Sequence, residues 1–222
     1  MERPRAIAGA PDAPPLDSVY PLPAGKKQYE GLKSAFVDFP KLLRTLKSDR
    51  HTGYVRLNDT DYSGSLLLHD GDLLEALSSN GGISDGEVAF LQFRRHMDEG
   101  TGLIDVIELA PDTIVALAQL LTARPLFTGL LGRFVDFNAL LEYLAEEKVD
   151  GSVVVTGGRE TGIILLRGGS VLGAYTASAR QLDTKTNLVA ALAKERPARI
   201  EVKSGAAEVS RMDFEASLSR PF

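Results

Sequence analysis

Three histidines are the side chains of this sequence best suited to acid–base or metal chemistry: His51, His69 and His96. None of them has a second ligand-type residue at the short helical spacing of a motif such as H-E-x-x-H, in which two imidazoles reach one metal ion. His69 precedes a predicted hairpin turn, where we expect a surface or edge-strand residue. The chain contains no cysteine, which excludes disulfides, thiolate zinc sites and cysteine nucleophiles. The sequence therefore predicts no catalytic constellation and no metal site.

Two glycine-rich stretches have the composition of a phosphate-binding loop. Residues 81–86 precede a predicted helix, and a helix N-terminus can hold an anion. No Gly-Lys-Ser/Thr follows, so we expect Ser84 or Asp85 to cap this helix instead. Residues 157–162 connect two predicted strands and are expected to form a hairpin loop. Neither stretch has the strand–turn–helix context of a dinucleotide fingerprint, and we expect no cofactor.

The composition is that of a globular protein with an ordinary charge balance. Hydrophobic residues make up 44% of the 222 positions, and the net charge is −5. A general nucleic-acid binder usually carries a strong basic excess, so we do not expect one here. The N-terminus lacks the apolar run of a signal peptide, and no segment approaches the ~18 uninterrupted apolar residues of a membrane helix. We expect a cytoplasmic protein that does not insert into membranes.

An internal duplication is the strongest pattern in the chain. Residues 36–76 align without a gap with residues 134–174, and 15 of these 41 positions are identical. The period of 98 residues is longer than the roughly 20–50 residues of a solenoid unit. The pattern therefore indicates two copies of one domain.

The shared residues have a structural meaning in both copies. Asp38 and Asp136 are candidates for helix N-caps. After each cap, apolar residues recur at i, i+3, i+4 and i+7, as on one face of an amphipathic helix. This face consists of Phe39, Leu42, Leu43 and Leu46, and of Phe137, Leu140, Leu141 and Leu144. Asp70-Gly71 and Gly168-Gly169 predict two-residue type I′ turns between strands.

Each copy has the order helix, three-strand meander, helix, strand. This order predicts an α+β fold with two tandem repeats, each a small antiparallel sheet with helices packed on one face. We predict a flexible, proline-rich tail at residues 1–30, a first repeat with a linker helix at 31–123, and a second repeat at 124–222. Residues 206–217 are the candidate counterpart of the linker helix.

The order of these motifs resembles the PATAN-type module of bacterial response-regulator and signalling proteins. The resembling features are the amphipathic helix Phe39–Leu46, the strand that begins at Gly53, the turn at Asp70-Gly71 and the strand that ends at Ala76. Copy two repeats them but has Gly168 in place of the aspartate. The resemblance implies a non-catalytic signalling or protein-interaction role.

The two copies differ most in the charge of the first helix. Copy one carries a basic face with Lys41, Arg44, Lys47 and Arg50, whereas copy two carries an acidic face with Glu142, Glu146 and Glu147. A solvated helix surface is one interpretation. The other is that the copies have diverged to hold different partners, or each other, because complementary charge steers association.

Together these patterns predict a non-catalytic bacterial signalling or scaffold protein that acts through protein–protein interaction by two duplicated modules. The expected partners are proteins, with a homodimer as one possibility. Two alternatives stay open. One is a nucleic-acid-associated protein that uses the basic face of the first repeat, and the other is an enzyme with a site between the repeats.

Overall fold

Two lobes of the same architecture form the chain in a computed structural model, which describes residues 16–80, 82–205 and 211–219. A short helix α1 (Leu16–Val19) precedes them. Lobe 1 (residues 26–108) contains β1 (Lys26–Lys33), α2 (Phe39–Ser48), β2 (Gly53–Asn58), β3 (Ser63–His69), β4 (Asp72–Ser79), β5 (Ile83–Asp85), α3 (Gly86–Glu99) and β6 (Leu103–Glu108). Helix α4 (Pro111–Thr122) connects the lobes.

Lobe 2 (residues 125–204) repeats this order without a counterpart of β5. It contains β7 (Pro125–Leu131), α5 (Phe137–Glu146), β8 (Gly151–Thr156), β9 (Thr161–Arg167), β10 (Ser170–Thr176), α6 (Asn187–Ala193) and β11 (Arg199–Ser204). A last helix, α7 (Phe214–Leu218), follows. The sheet order is β1-β6-β2-β3-β4-β5 in lobe 1 and β7-β11-β8-β9-β10 in lobe 2, so each strand of lobe 2 takes the place of its counterpart. The predicted duplicated α+β fold is confirmed.

The predicted N-caps explain why each lobe begins its first helix at the same point. The Asp38 carboxylate accepts a hydrogen bond from the Lys41 backbone N–H at 3.0 Å. Asp136 accepts from the Ala139 backbone N–H at 3.1 Å. Each aspartate satisfies a donor that has no partner inside the helix.

The shared turn glycine is required by close packing as well as by backbone conformation. Gly71 has a φ of +83° and Gly169 a φ of +77°, in the left-handed region that the predicted type I′ turn needs. A Cβ on Gly71 would lie 2.6 Å from the carbonyl oxygen of Lys47, and one on Gly169 would lie 2.6 Å from that of Ala145. The glycine therefore lets the β3–β4 and β9–β10 turns meet the end of α2 and α5.

Strand β1 differs from the predicted domain boundary. Residues 26–30 were assigned to the tail, but they form the first part of an edge strand that pairs with β6. Almost all of β1 is exposed on both faces, so its sequence has no alternation of apolar and polar residues to mark a strand. Residues 16–25, which were also assigned to the tail, form α1 and a stretch in which Pro21, Leu22 and Pro23 are buried. Residues 1–15, the remainder of the predicted tail, lie outside the described part of the chain.

Helix α4 lies between the two sheets and is buried on nearly every side. Its apolar residues Ile114, Leu117 and Leu120 share one core with Leu67 of lobe 1 and Ile163 of lobe 2. A helix that is apolar all round is typical of a fully buried position. The face of each sheet opposite its own two helices is therefore covered by α4. Among the described residues, no helix combines the length and apolar content needed to cross a bilayer.

Two buried tyrosines, one from each lobe, hold the segment before β1 in the same central layer. The Tyr54 hydroxyl of β2 donates to the carbonyl oxygen of Pro23 at 2.9 Å, and the Tyr175 hydroxyl of β10 donates to that of Pro21 at 2.9 Å. Leu22 lies between these prolines and is buried in the core that α4 forms. Burial raises the pKa of Tyr175, so its hydroxyl stays a donor at all ordinary pH values.

We predict that Tyr175→Phe lowers the free energy of unfolding by about 1–3 kcal/mol, because it leaves the buried carbonyl of Pro21 without its donor. Urea unfolding monitored by circular dichroism measures this loss. The matched control is Tyr143→Phe, at a tyrosine that is 45% exposed, which should change the free energy little. Equal effects of the two substitutions would contradict the role assigned to the Tyr175 hydroxyl.

Candidate functional site

The predicted basic and acidic residues lie on the outer helical layers of the two lobes, on or just after α2 and α5. All seven of these side chains are exposed: Lys41, Arg44, Lys47, Arg50, Glu142, Glu146 and Glu147. Helices α2 and α5 belong to separate cores, and the core that contains α4 lies between those two. The structure therefore does not bring the basic and acidic faces of one chain together.

The C-terminal segment (residues 211–219) follows lobe 2 in the chain but packs against part of the basic face of lobe 1. Arg44 donates from Nε and Nη2 to the two carboxylate oxygens of Glu215, at 2.9 and 3.0 Å. This two-point pairing fixes the orientation of both side chains. The Arg44 guanidinium holds the pKa of Glu215 below its usual range.

Phe214 is the anchor of this segment. Only 2% of the residue is exposed, and it packs into the lobe 1 core together with Leu43 and Leu73. The Lys47 ammonium lies 5.1 Å from the centre of the Phe214 ring, in cation–π geometry. Full burial of such a side chain contributes about 1.5–3 kcal/mol, and the partly buried Met212 and Leu218 pack against the same core.

Backbone pairing positions the residues on either side of Phe214. The Met212 N–H donates to the Leu73 carbonyl oxygen at 2.8 Å and adds one bridging residue beside the end of β4 that β5 does not pair with. On the other side, Arg94 of α3 donates to the Ser217 carbonyl oxygen at 3.3 Å. The docked segment thus begins as a short strand and continues as a helix in the groove between α2 and α3. We call this groove the lobe 1 groove.

Arg50 has a different role from Arg44 and Lys47. It pairs with Asp70 through two hydrogen bonds of 2.7 Å and so joins the end of α2 to the β3–β4 turn. This pairing holds the pKa of Asp70 below its usual range. The predicted basic face therefore separates into a part that binds the C-terminal segment, a part that holds a turn, and the exposed side chain of Lys41.

The C-terminal segment was not predicted to bind anywhere. Residues 206–217 were the candidate counterpart of the linker helix, but α7 begins only at Phe214 and packs on lobe 1. Residues 206–210 lie outside the described part of the chain. The available signal was local: Asp213 N-caps α7, and an acidic residue directly follows an aromatic one. Its match to the basic face depends on a contact across 171 residues.

The remaining ionisable groups with unusual surroundings serve the fold. Glu75, which is nearly buried, accepts hydrogen bonds of 2.9 Å from the N–H groups of Ala76 and Gly86, and burial raises its pKa. Glu75 thus accepts the first backbone N–H of α3, that of Gly86. The predicted cap by Ser84 or Asp85 is wrong, because the Asp85 side chain makes no capping hydrogen bond. No group of three or more metal-ligand side chains occurs within the described ranges.

The three histidines lie at packed positions of lobe 1. His51 is buried at a position that Val149 occupies in lobe 2, and burial lowers its pKa. His69 is half-buried at the end of β3, a strand inside the sheet, so it is not an edge-strand residue. The ring of His96 stacks on that of Tyr62, with centroids 3.9 Å apart.

Comparison with known protein families gives a match to the first part of the chain. Residues 21–121 match the family described as "Uncharacterized protein conserved in archaea" (DUF2226). The matched part, somewhat under half of the chain, comprises lobe 1 with α4 and the segment held by Tyr54. The prediction of a bacterial protein is therefore wrong, because the similar family is archaeal. The resemblance to the PATAN-type module stays a prediction. No curated protein and no solved structure matches the chain.

The contact between Arg44 and Glu215 predicts that docking of the C-terminal segment depends on pH. Because the folded-state pKa of Glu215 lies below its ordinary value of 4.5, the pair contributes fully above that pH. Its contribution is lost as the pH falls through the lowered folded-state pKa. Amide hydrogen exchange of residues 213–218 should therefore be constant from pH 7 to pH 5, after correction for intrinsic rates, and should accelerate below about pH 4.5.

Arg44→Gln is the control, because it removes the partner of Glu215 but keeps Phe214 buried. In this variant the exchange step below pH 4.5 should become much smaller. An unchanged step would contradict the assignment of the pH dependence to the pair of Arg44 and Glu215.

Proposed function

We propose that this protein is a non-catalytic scaffold whose lobes bind short segments of other proteins in the grooves of their outer helical layers. The observation that supports the proposal is the C-terminal segment docked in the lobe 1 groove. It shows the groove between α2 and α3 holding a linear segment by an aromatic anchor, a bidentate ion pair and a backbone hydrogen bond. These are the elements by which recognition grooves bind helical and extended peptides.

The docked segment has the properties of a displaceable occupant. Helix α7 has only five residues, and a helix of that length does not persist on its own in water. Its docking therefore depends on contacts with the groove, among them the burial of Phe214. The exposed pair of Arg44 and Glu215 adds little affinity but selects for an acidic residue next to the anchor. A partner that offers the same pattern at higher local concentration would replace the segment.

Ion pairing within the chain disfavours the nucleic-acid alternative. Arg44 is occupied by Glu215, Arg50 by Asp70, and Arg95 by Glu99 at 3.1 Å. Binding to phosphates would require these pairs to break, whereas a peptide that replaces the C-terminal segment preserves their chemistry. The space between the repeats, considered as a site for an enzyme, is occupied by the apolar side chains of α4.

A peptide-binding assay on the full chain tests the proposal. In the double variant Phe214→Ala/Glu215→Ala the C-terminal segment no longer fills the lobe 1 groove. We expect this variant to bind a fluorescent peptide of residues 211–222 saturably in an anisotropy titration. The wild-type chain should bind the peptide at least about tenfold more weakly, because its own C-terminal segment competes at high effective concentration.

Charge reversal in the groove gives the specificity control. Adding Arg44→Glu to the double variant should weaken the peptide severalfold, whereas adding Lys41→Glu, on the same helix but outside the docking contacts, should have a smaller effect. If the double variant keeps the wild-type circular dichroism spectrum and still binds no peptide, the lobe 1 groove is not a binding site for separate segments.

A further inference from the structure

We infer that lobe 2 has an open groove of the same kind between α5 and α6, and that it binds a short helix from a partner protein. This helix carries an aromatic anchor followed directly by a basic residue. The inference rests on the proposed function, because it extends the binding mode of the lobe 1 groove to the second copy. We call the second site the lobe 2 groove.

The repeat identifies the residues of the lobe 2 groove. The period of 98 residues places Leu141 where lobe 1 has Leu43, and Val171 where lobe 1 has Leu73. Leu43 and Leu73 are fully buried beside Phe214. Leu141 and Val171 are only half-buried at the edge of the lobe 2 core. Both lobes therefore have apolar residues at the base of the groove. Among the described residues, an aromatic side chain packs on them only in lobe 1, where it is Phe214.

A backbone hydrogen-bond acceptor lies beside these apolar residues. In lobe 1 the Leu73 carbonyl accepts the N–H of Met212, and its counterpart Val171 lies on β10, the edge strand of the lobe 2 sheet. The edge of β10 is occupied further along the strand, where Ala174 pairs with Asp183. The strand end at Val171 is therefore placed to pair with one extended residue of a bound peptide.

The far end of the groove contains a cavity. Its volume is about 310 Å³, and it lies between the start of α5 and α6, lined by Val135, Asn138, Ala190 and Ala193 among others. The last strands of the two lobes are related by a shift of 96 residues, which places Ile200 where lobe 1 has Ile104. The same shift places Ala190 where lobe 1 has Arg94, the residue that donates to the Ser217 carbonyl oxygen. Helix α6 has seven residues where α3 has fourteen, so the helical layer of lobe 2 is shorter.

Charge identifies the kind of partner. Glu142 replaces Arg44, the residue that pairs with Glu215, and Glu146 and Glu147 follow on the same surface. Within the described ranges no cation pairs with any of these three carboxylates. A peptide that docks as the C-terminal segment does would place the residue after its aromatic anchor next to Glu142. A basic residue fits there, and an acidic one, as in the chain's own segment, is repelled.

Peptide titration of the full-length chain, followed by nuclear magnetic resonance, tests the inference. The probe is a synthetic peptide of residues 211–222 with the substitution Glu215→Arg. We expect saturable shift changes at the amides of Glu142, Ala145, Val171 and Ala190. The peptide with the native Glu215 should bind at least about fivefold more weakly at these amides.

Glu142→Arg in the chain should reverse this preference: the native-sequence peptide should gain affinity for lobe 2, and the Glu215→Arg peptide should lose at least about fivefold. Asp61→Arg changes the net charge equally on an exposed loop of lobe 1 and should leave both affinities unchanged. No saturable shift in lobe 2, or a preference that Glu142→Arg does not alter, would overturn the inference.

Two further outcomes would also overturn it. Shifts confined to the lobe 1 groove would show that the peptide displaces the chain's own segment. Concentration-dependent shifts at the lobe 2 amides without peptide, together with a dimer in sedimentation, would identify a second copy as the occupant. Failure in lobe 2 is distinguishable from failure of the proposed function, because the Phe214→Ala/Glu215→Ala chain tests the lobe 1 groove separately.

Discussion

The burial of α4 between the two sheets is the constraint on which the rest of the structure depends. A small antiparallel sheet with two helices on one face leaves its other face open, and in a single lobe of this kind that apolar face would be exposed to water. Helix α4 covers this face in both lobes, since its apolar residues share one core with Leu67 of lobe 1 and Ile163 of lobe 2. The tyrosines that bind Pro21 and Pro23 close the same layer.

This arrangement limits where a partner could bind. With the inner faces of both sheets covered by α4, the outer helical layers are the surfaces on which the proposed binding would take place. Lobe 1 shows the result, because its groove holds Phe214 and Glu215 from the end of the chain. A helix after β11 that packed as α4 does would find the inner faces already covered, which is a physical reason for α7 to dock elsewhere. The duplication therefore produced one helix that joins the copies and one that occupies a groove.

The sequence predicts the parts of this fold that depend on local physics. The caps at Asp38 and Asp136 and the turn glycines Gly71 and Gly169 follow from backbone donors and positive φ angles, which are properties of a few neighbouring residues. Strand β1 could not be predicted, because a two-sided exposed edge has no apolar period. The pairing of Arg44 with Glu215 could not be predicted either, since nothing local indicates a partner 171 residues away. The segment that packs against the basic face of α2 is visible only in three dimensions.

The most direct test of this account measures whether the C-terminal segment occupies the lobe 1 groove and leaves it for a competitor. The chain has no cysteine, so spin labels can be attached at Lys41→Cys and Ser219→Cys without other changes. Electron–electron double resonance should give a narrow short-distance population in the free chain. An excess of unlabelled peptide of residues 211–222 should convert it to a longer, broader distribution. A broad distribution in the free chain, or a short one that excess peptide does not change, would contradict the claim that the lobe 1 groove is an exchangeable binding site.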